Sequence, residues 1–262
     1  MATVLGGSSE LRHESLHISV QGVSIIVAIA RRDEPLAPIL FLRGFGGSKE
    51  DYLDVVLHPS FNNRAFVPFD APGCGKTTVA DAVLDALNVK RFHLLGHSMG
   101  GLAGLELATL HPGAILSFVN IKGNLAPEDC FLSGQIFTWA DEDSEEFLAN
   151  FIERNYLSPL FSAPLYASNV RSKVRADAVR GIFESMVHLS DEGGLLAKFL
   201  SLPFPRMFMY GEQYRTLSYL STLGERGVCL AEIPYCGHFP MYSNPVAMWN
   251  SLSQFLADSE QS

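Results

Sequence analysis

A chain of 262 residues holds one large or two small domains, and 47% hydrophobic against 18% charged residues is an ordinary globular mix that excludes disorder and low complexity. Nineteen basic and 28 acidic side chains leave a net charge of −9, which argues against nucleic acid or an anionic membrane as a partner. The four cysteines, Cys74, Cys130, Cys229 and Cys236, show no CxxC spacing, so no zinc ribbon or dithiol site is expected, and reduced thiols in a cytoplasmic protein are.

Residues Met1–Glu10 contain neither a basic nor an apolar region of the secretory type, so no signal peptide is expected. Leu16–Val20 and Val23–Ala30 read as two strands joined by Gln21-Gly22, and the second is far too short to span a bilayer. Pro38–Leu42 is an apolar strand that ends in the glycine-rich Arg43-Gly-Phe-Gly-Gly47. Ala65–Phe69 is another, closed by Asp70-Ala-Pro-Gly-Cys-Gly75, with an amphipathic helix over Thr78–Leu87. Strand Phe92–Leu95, a turn at Gly96–Gly100, a helix to about His111 and strand Ile115–Ile121 follow. Alternating helices and apolar strands predict a parallel sheet covered on both faces.

From about Asn124 the strand-like runs stop, and helical patterns cover Cys130–Thr138, Ser144–Asn155, Ser172–Met186 and Gly194–Phe199. The acidic run at Asp141–Glu146 and the basic Arg171, Lys173, Arg175 and Arg180 read as solvated helix faces or turns. Strands resume at Arg206–Tyr210 and Gly227–Ile233, and a last helix opens at Asn244-Pro245 and runs to about Ala257. The expected organisation is an α/β core of residues 1–123 and 201–262 interrupted by a helical cap at 124–200.

Gly96-His-Ser98-Met-Gly100 joins an apolar strand to a helix rich in small residues, the context that G-x-S-x-G chemistry requires. Glycines permit a turn tight enough to lift a serine oxygen above the sheet edge, and the helix behind it aims free N–H groups at the same point. A carbonyl attacked by Ser98 would place its oxyanion near the Met99 N–H. Serine alone is a weak nucleophile, and of eight histidines His238 is the one placed as base, in Tyr235-Cys-Gly-His-Phe-Pro240 between the last strand and last helix. Cys236 beside it reads as packing, and His97 as a residue that packs or lines the pocket.

On Arg43–Gly47, Asp70–Gly75, Gly96–Gly101 and Gly237-His-Phe-Pro240, the chain resembles the α/β-hydrolase superfamily over essentially its whole length. The resemblance implies a mostly parallel eight-stranded sheet flanked by helices, a helical cap inserted after the sixth strand, and a serine–acid–histidine triad in that order. It also implies that the Phe45 N–H joins that of Met99 in an oxyanion hole. Three positions depart from the pattern. Arg43 stands where a histidine is usual, Tyr214 follows the seventh strand where an acid is usual, and Lys122 ends the sixth strand where other members carry the acid. The orienting carboxylate is therefore expected elsewhere, at Asp129 first, with Glu128 and Glu212 as alternatives.

Gly73-Cys-Gly-Lys-Thr-Thr78 looks like the tail of a phosphate-binding loop, but the glycine that should precede it is Asp70, so a nucleoside triphosphatase is rejected. The expected activity is hydrolysis of a small to medium apolar ester or lactone through an acyl-enzyme, without cofactor or metal. The aromatic residues of the insertion, Phe131, Phe137, Trp139, Phe147 and Phe151 among them, favour an apolar substrate. The alternatives are carbon–carbon bond or amide hydrolysis at the same site, or a binding protein that keeps the fold without the chemistry.

Overall fold

Nine-residue runs on either side of Gln21-Gly22 form β1 (Arg12–Val20) and β2 (Val23–Arg31), paired antiparallel from Arg12↔Arg31 to Val20↔Val23. Gln21 and Gly22 both take positive φ, which a two-residue hairpin turn of the first primed type requires. The structure is a computed structural model that describes residues 10–70 and 77–261. Residues 73–76 of the glycine-rich run, Cys74 among them, and residues 1–9 lie outside it.

The strands that follow are β3 (Leu36–Leu42), β4 (Arg64–Asp70), β5 (Phe92–His97), β6 (Ile115–Ile121), β7 (Arg206–Gly211) and β8 (Cys229–Ile233). They form one sheet in the order β1-β2-β4-β3-β5-β6-β7-β8, parallel from β4 to β8 and antiparallel only at the hairpin edge. The central strands carry apolar residues on both faces because both are covered by helices, so their sequences run apolar instead of alternating. Register brings Leu42, Gly96 and Asn120 level across β3, β5 and β6. The carboxyl ends of the central strands thus open onto one edge, where a sheet of this kind presents its ligand crevice.

The helices are α1 (Thr77–Ala86), α2 (Met99–Leu110), α3 (Gln135–Thr138), α4 (Ser144–Tyr156), α5 (Ala163–Lys173), α6 (Ala176–Glu192), α7 (Leu195–Ser201), α8 (Leu220–Glu225), α9 (Pro240–Ser243) and α10 (Pro245–Gln261). Those from α3 to α7 lie between β6 and β7 as an inserted helical cap. α4 begins at an Asp143 cap whose carboxylate accepts from the Glu145 and Glu146 N–H groups. The cap core is aromatic: Phe147, Phe151 and Phe183 are buried against one another.

Two helix expectations need correction. The run read as one helix over Ser172–Met186 is two, broken where Val174 and Arg175 turn extended between α5 and α6. The first cap helix, expected over Cys130–Thr138, is only Gln135–Thr138, with residues 130–134 as turns after a separate 3₁₀ turn at Pro127–Asp129. Among the described residues no helix is long and apolar enough to cross a membrane.

Candidate active site

The turn after β5 is built on glycines because other strands press on it. A Cβ on Gly100 would run into the Leu42 carbonyl, and one on Gly101 would stand 2.7 Å from Asn120 Oδ1 and 2.8 Å from the Gly123 Cα. Between them and β5 sits Ser98 at φ +54°, ψ −121°, a conformation that costs a serine strain and that the surrounding packing imposes. Its N–H donates to the Ile121 carbonyl at 3.0 Å and its own carbonyl accepts from Gly101 at 2.8 Å, which starts α2. The first N–H groups of α2 have no partner within the helix and face the same edge as the serine.

The loop after β3 closes over this turn. A Cβ on Gly44 would lie 3.1 Å from Ser98 Cβ and 2.7 Å from His97 Nδ1, so the loop passes in contact with the serine. Phe45 follows, buried, with its ring 4.7 Å from Phe183 of the cap and 6.1 Å, edge-on, from Phe151. Arg43 lies 3.7 Å from Asp70, the end of β4, which gives the arginine a structural partner that the sequence did not reveal.

His238 arrives from the other side, in the loop between β8 and α9. Gly211 lets that loop approach β7 closely, since a Cβ there would meet the Cys236 and Gly237 carbonyls. Gln213 N–H donates to the Cys236 carbonyl at 3.2 Å, and His97 Nε2–H donates to the His238 carbonyl at 2.8 Å. The residue before Ser98 therefore ties down the backbone of His238, and the two imidazoles lie 4.9 Å apart. Burial pushes His97 down to about 4, so it serves as a neutral donor. The Cys236 thiol is pushed up to about 12 by burial and stays protonated.

The His238 ring is walled by Phe239 at 4.8 Å, Phe131 at 5.0 Å and Tyr214 at 6.2 Å, and only 3% of the residue is exposed. Both ring nitrogens are buried, and among the described residues neither has a hydrogen-bond partner. Burial first, then His97 and Lys122, hold its pKa well below the ordinary histidine range.

None of the three carboxylates expected as its orienting acid reaches it. Asp129 is buried in a different role: it pairs with the Lys122 ammonium and accepts from the Leu125 N–H at 2.8 Å, the Ala126 N–H at 3.0 Å and the Tyr219 hydroxyl at 2.9 Å. Glu128 accepts from the Ser218 N–H at 3.0 Å and from its hydroxyl, and Glu212 lies 4.0 Å from Arg215. Sequence reading missed the Tyr219 clamp on Asp129, which lies 90 residues away with no spacing to signal it. It also missed His93, buried in β5, whose Nδ1 accepts from Ser117 at 2.8 Å and whose Nε2–H donates to Glu260 of α10 at 3.1 Å. Among the described residues no group of three or more His, Cys, Asp or Glu side chains could hold a metal.

Beside the serine turn, α2 and α6 enclose a groove of about 360 Å³ lined by Met99, Ala103, Gly181, Ile182, Met186 and Leu189, with Glu106 and Asp177 among its polar lining residues.

Residues 39–250 match the model of the Alpha/beta hydrolase family. The chain is 24% identical over 242 residues to a 2-succinyl-6-hydroxy-2,4-cyclohexadiene-1-carboxylate synthase of Enterobacter sp. (strain 638), covering 83% of this chain and 91% of the relative. It is 30% identical over 109 residues to a proline iminopeptidase of Lactobacillus crispatus (strain ST1), covering 35% of this chain and 37% of that one. Its fold is similar to the crystal structure of a variant of the N-acyl homoserine lactonase AidH complexed with N-hexanoyl homoserine, with a TM-score of 0.73 at 18% identity over 97% of this chain and 98% of that one.

Proposed function

The chain belongs to the Alpha/beta hydrolase family, and from that premise we propose that it is a serine hydrolase of small to medium apolar esters or lactones. In this reading Ser98 is the nucleophile, His238 the general base, and the Phe45 and Met99 N–H groups the oxyanion donors. Ser98 Oγ attacks the carbonyl and His238 takes its proton. The oxyanion forms against the two N–H groups, and His238 returns the proton to the leaving alcohol. Water, deprotonated by the same imidazole, then releases the acid.

The observation that carries this reading is the state of His238. A buried polar group left without a partner costs about 1–3 kcal/mol, and proteins keep such groups where chemistry or a ligand uses them. Here the two orphaned nitrogens belong to a ring whose backbone is tied to the residue next to a strained, glycine-flanked serine. A carboxylate normally fixes the imidazole tautomer and stabilises imidazolium, and its loss costs about 10⁴ in rate. With no such carboxylate in contact, turnover is slow, and the ring is held instead by Phe131, Phe239 and the His97 tie. The groove at Met99 and Gly181 suits the apolar part of a substrate, and segment 124–200 serves as its lid. A lactone or acyl ester is also in keeping with the lactonase-type structural similarity.

Lys122, an ammonium beside the base, favours a second reading, a binding protein that retains the pocket without turnover. Reaction with a fluorophosphonate probe and hydrolysis of p-nitrophenyl acetate separate the two. Labelling that is lost in Ser98→Ala supports the hydrolase. No labelling of the parent between about pH 6 and 9 establishes the binding protein.

A further inference from the structure

Lys122 is one of the largest fully buried side chains of the protein, and it sits at φ +45° where a long side chain gains nothing from the strain. Its N–H donates to the Met209 carbonyl at 2.9 Å, which fixes it just past the end of β6. Of the three ammonium protons, one direction is taken by Asp129. The others face aromatic rings, with Nζ 4.7 Å from the Tyr214 centroid and 5.8 Å from that of Phe131. Those two rings also wall His238, at 6.2 Å and 5.0 Å. The ammonium and the imidazole thus lie against the same aromatic pair, and both residues are buried.

We propose that Lys122 is a positioning residue that weakens His238 as a base, by holding its ammonium against the Phe131 and Tyr214 rings that also wall the imidazole. The inference rests on the reading of His238 as the base. In the transition state of acylation His238 becomes imidazolium, and a second cation nearby raises that state while leaving the neutral ground state untouched. Asp129 pairs with that ammonium from a place of its own, where the Leu125 and Ala126 N–H groups and the Tyr219 hydroxyl hold it. The groups facing His238 are His97 from the end of β5, Lys122 from β6, Tyr214 after β7 and Cys236 in its own loop. His97 is neutral, Tyr214 is pushed up by burial and stays a phenol, and Cys236 stays a thiol, which leaves Lys122 as the charged member. Burial, His97 and Lys122 all push His238 in the same downward direction.

The test pairs Lys122→Met with Asp129→Asn, so that no buried charge is left alone, and adds Lys122→Arg, which keeps the charge. The protonation midpoint of His238 is read by NMR of histidine-labelled protein, and the rate of fluorophosphonate labelling of Ser98 is read against pH. In the parent the midpoint is expected well below the ordinary histidine range, and the double variant should raise it by about one unit. Its labelling rate at pH 7 should rise about three- to tenfold, following the stronger base. Lys122→Arg should keep the low midpoint. A parent midpoint in the ordinary histidine range, or a double variant within about 0.3 unit of the parent, overturns the proposal. Because the parent midpoint alone can overturn it, failure of the double variant to fold does not protect the idea. If neither protein ever labels while the midpoint still moves, the hydrolase reading fails and the electrostatic role of Lys122 stands.

Discussion

Acidification from pH 7 to pH 5 should destabilise the folded chain, and two buried histidines set a lower bound on the loss. His93 and His97 are buried in β5, and burial pushes each from an ordinary 6.5 down to about 4. As the pH falls through 6.5 the unfolded chain binds protons at these positions and the folded chain does not, so stability falls with pH. The loss begins near 6.5 and is complete near 4. Each unit within that window costs about 1.4 kcal/mol per histidine. Between pH 6.5 and 5 this amounts to about 2 kcal/mol for each ring and about 4 kcal/mol for the pair. His238 shifts in the same direction and adds to it. Asp33, Glu50 and Glu260 are held below the usual carboxylate range, so their contribution is lost as the pH falls through the ordinary carboxylate values, below the span from pH 7 to 5. Against a typical 5–15 kcal/mol for a domain, a loss of about 4 kcal/mol is easily measured by urea unfolding at pH 7, 6 and 5. His97→Gln should remove close to half of the pH dependence carried by the pair. A parent stability flat to within about 1 kcal/mol over this range would refute the assignment of both rings as buried and neutral, and a slope unchanged in His97→Gln would refute it for His97.

Other expectations follow from single contacts. Gly100→Ala drives a methyl into the Leu42 carbonyl, which is backbone and cannot step aside, so a loss above about 4 kcal/mol or failure to fold is expected in thermal melts. Glu260→Gln removes the charge that both Arg64, at 2.7 Å and 2.9 Å, and His93 contact. Since Glu260 is 35% exposed, the expected cost is about 1–2 kcal/mol in urea, and an unchanged midpoint would show that α10 is not anchored there. Gly181 faces open space in the groove between α2 and α6, so Gly181→Phe fills it without a clash. It should raise KM for long-chain p-nitrophenyl esters about tenfold while labelling by a small fluorophosphonate is unaffected, and equal losses for short and long esters would move the substrate elsewhere.

What could be read from the sequence was what local chemistry determines. The parallel strands are buried on both faces and so appear as uninterrupted apolar runs, and the Ser98 turn announces itself through glycines that other backbones press upon. The side-chain partnerships were not local. His93 meets Glu260 across 167 residues and Asp129 meets Tyr219 across 90, and no periodicity encodes either. Lys122 and Asp129 are only seven apart, yet opposite charges at that distance read as solvated unless the surrounding fold is known to bury them. The break between α5 and α6 was hidden for a related reason. Val174 and Arg175 are neither glycine nor proline, so no local signal marks the extended turn they make between the two helices.

The Lys122–Asp129 pair is not symmetric, and that bears on how a cation came to lie beside a candidate base. Asp129 has three donors besides Lys122, two of them backbone N–H groups of the turn it organises. Lys122 has Asp129 and two ring faces, and a buried ammonium with ring faces alone would lose several kcal/mol of hydration. The lysine therefore depends on the aspartate, whereas the aspartate has work of its own in shaping the Leu125–Asp129 turn. A carboxylate committed in this way cannot swing to His238 without abandoning that turn. The same commitment that makes the ammonium tolerable keeps Asp129 from the imidazole, so one buried pair accounts both for the cation near His238 and for the absence of a hydrogen bond from Asp129 to it.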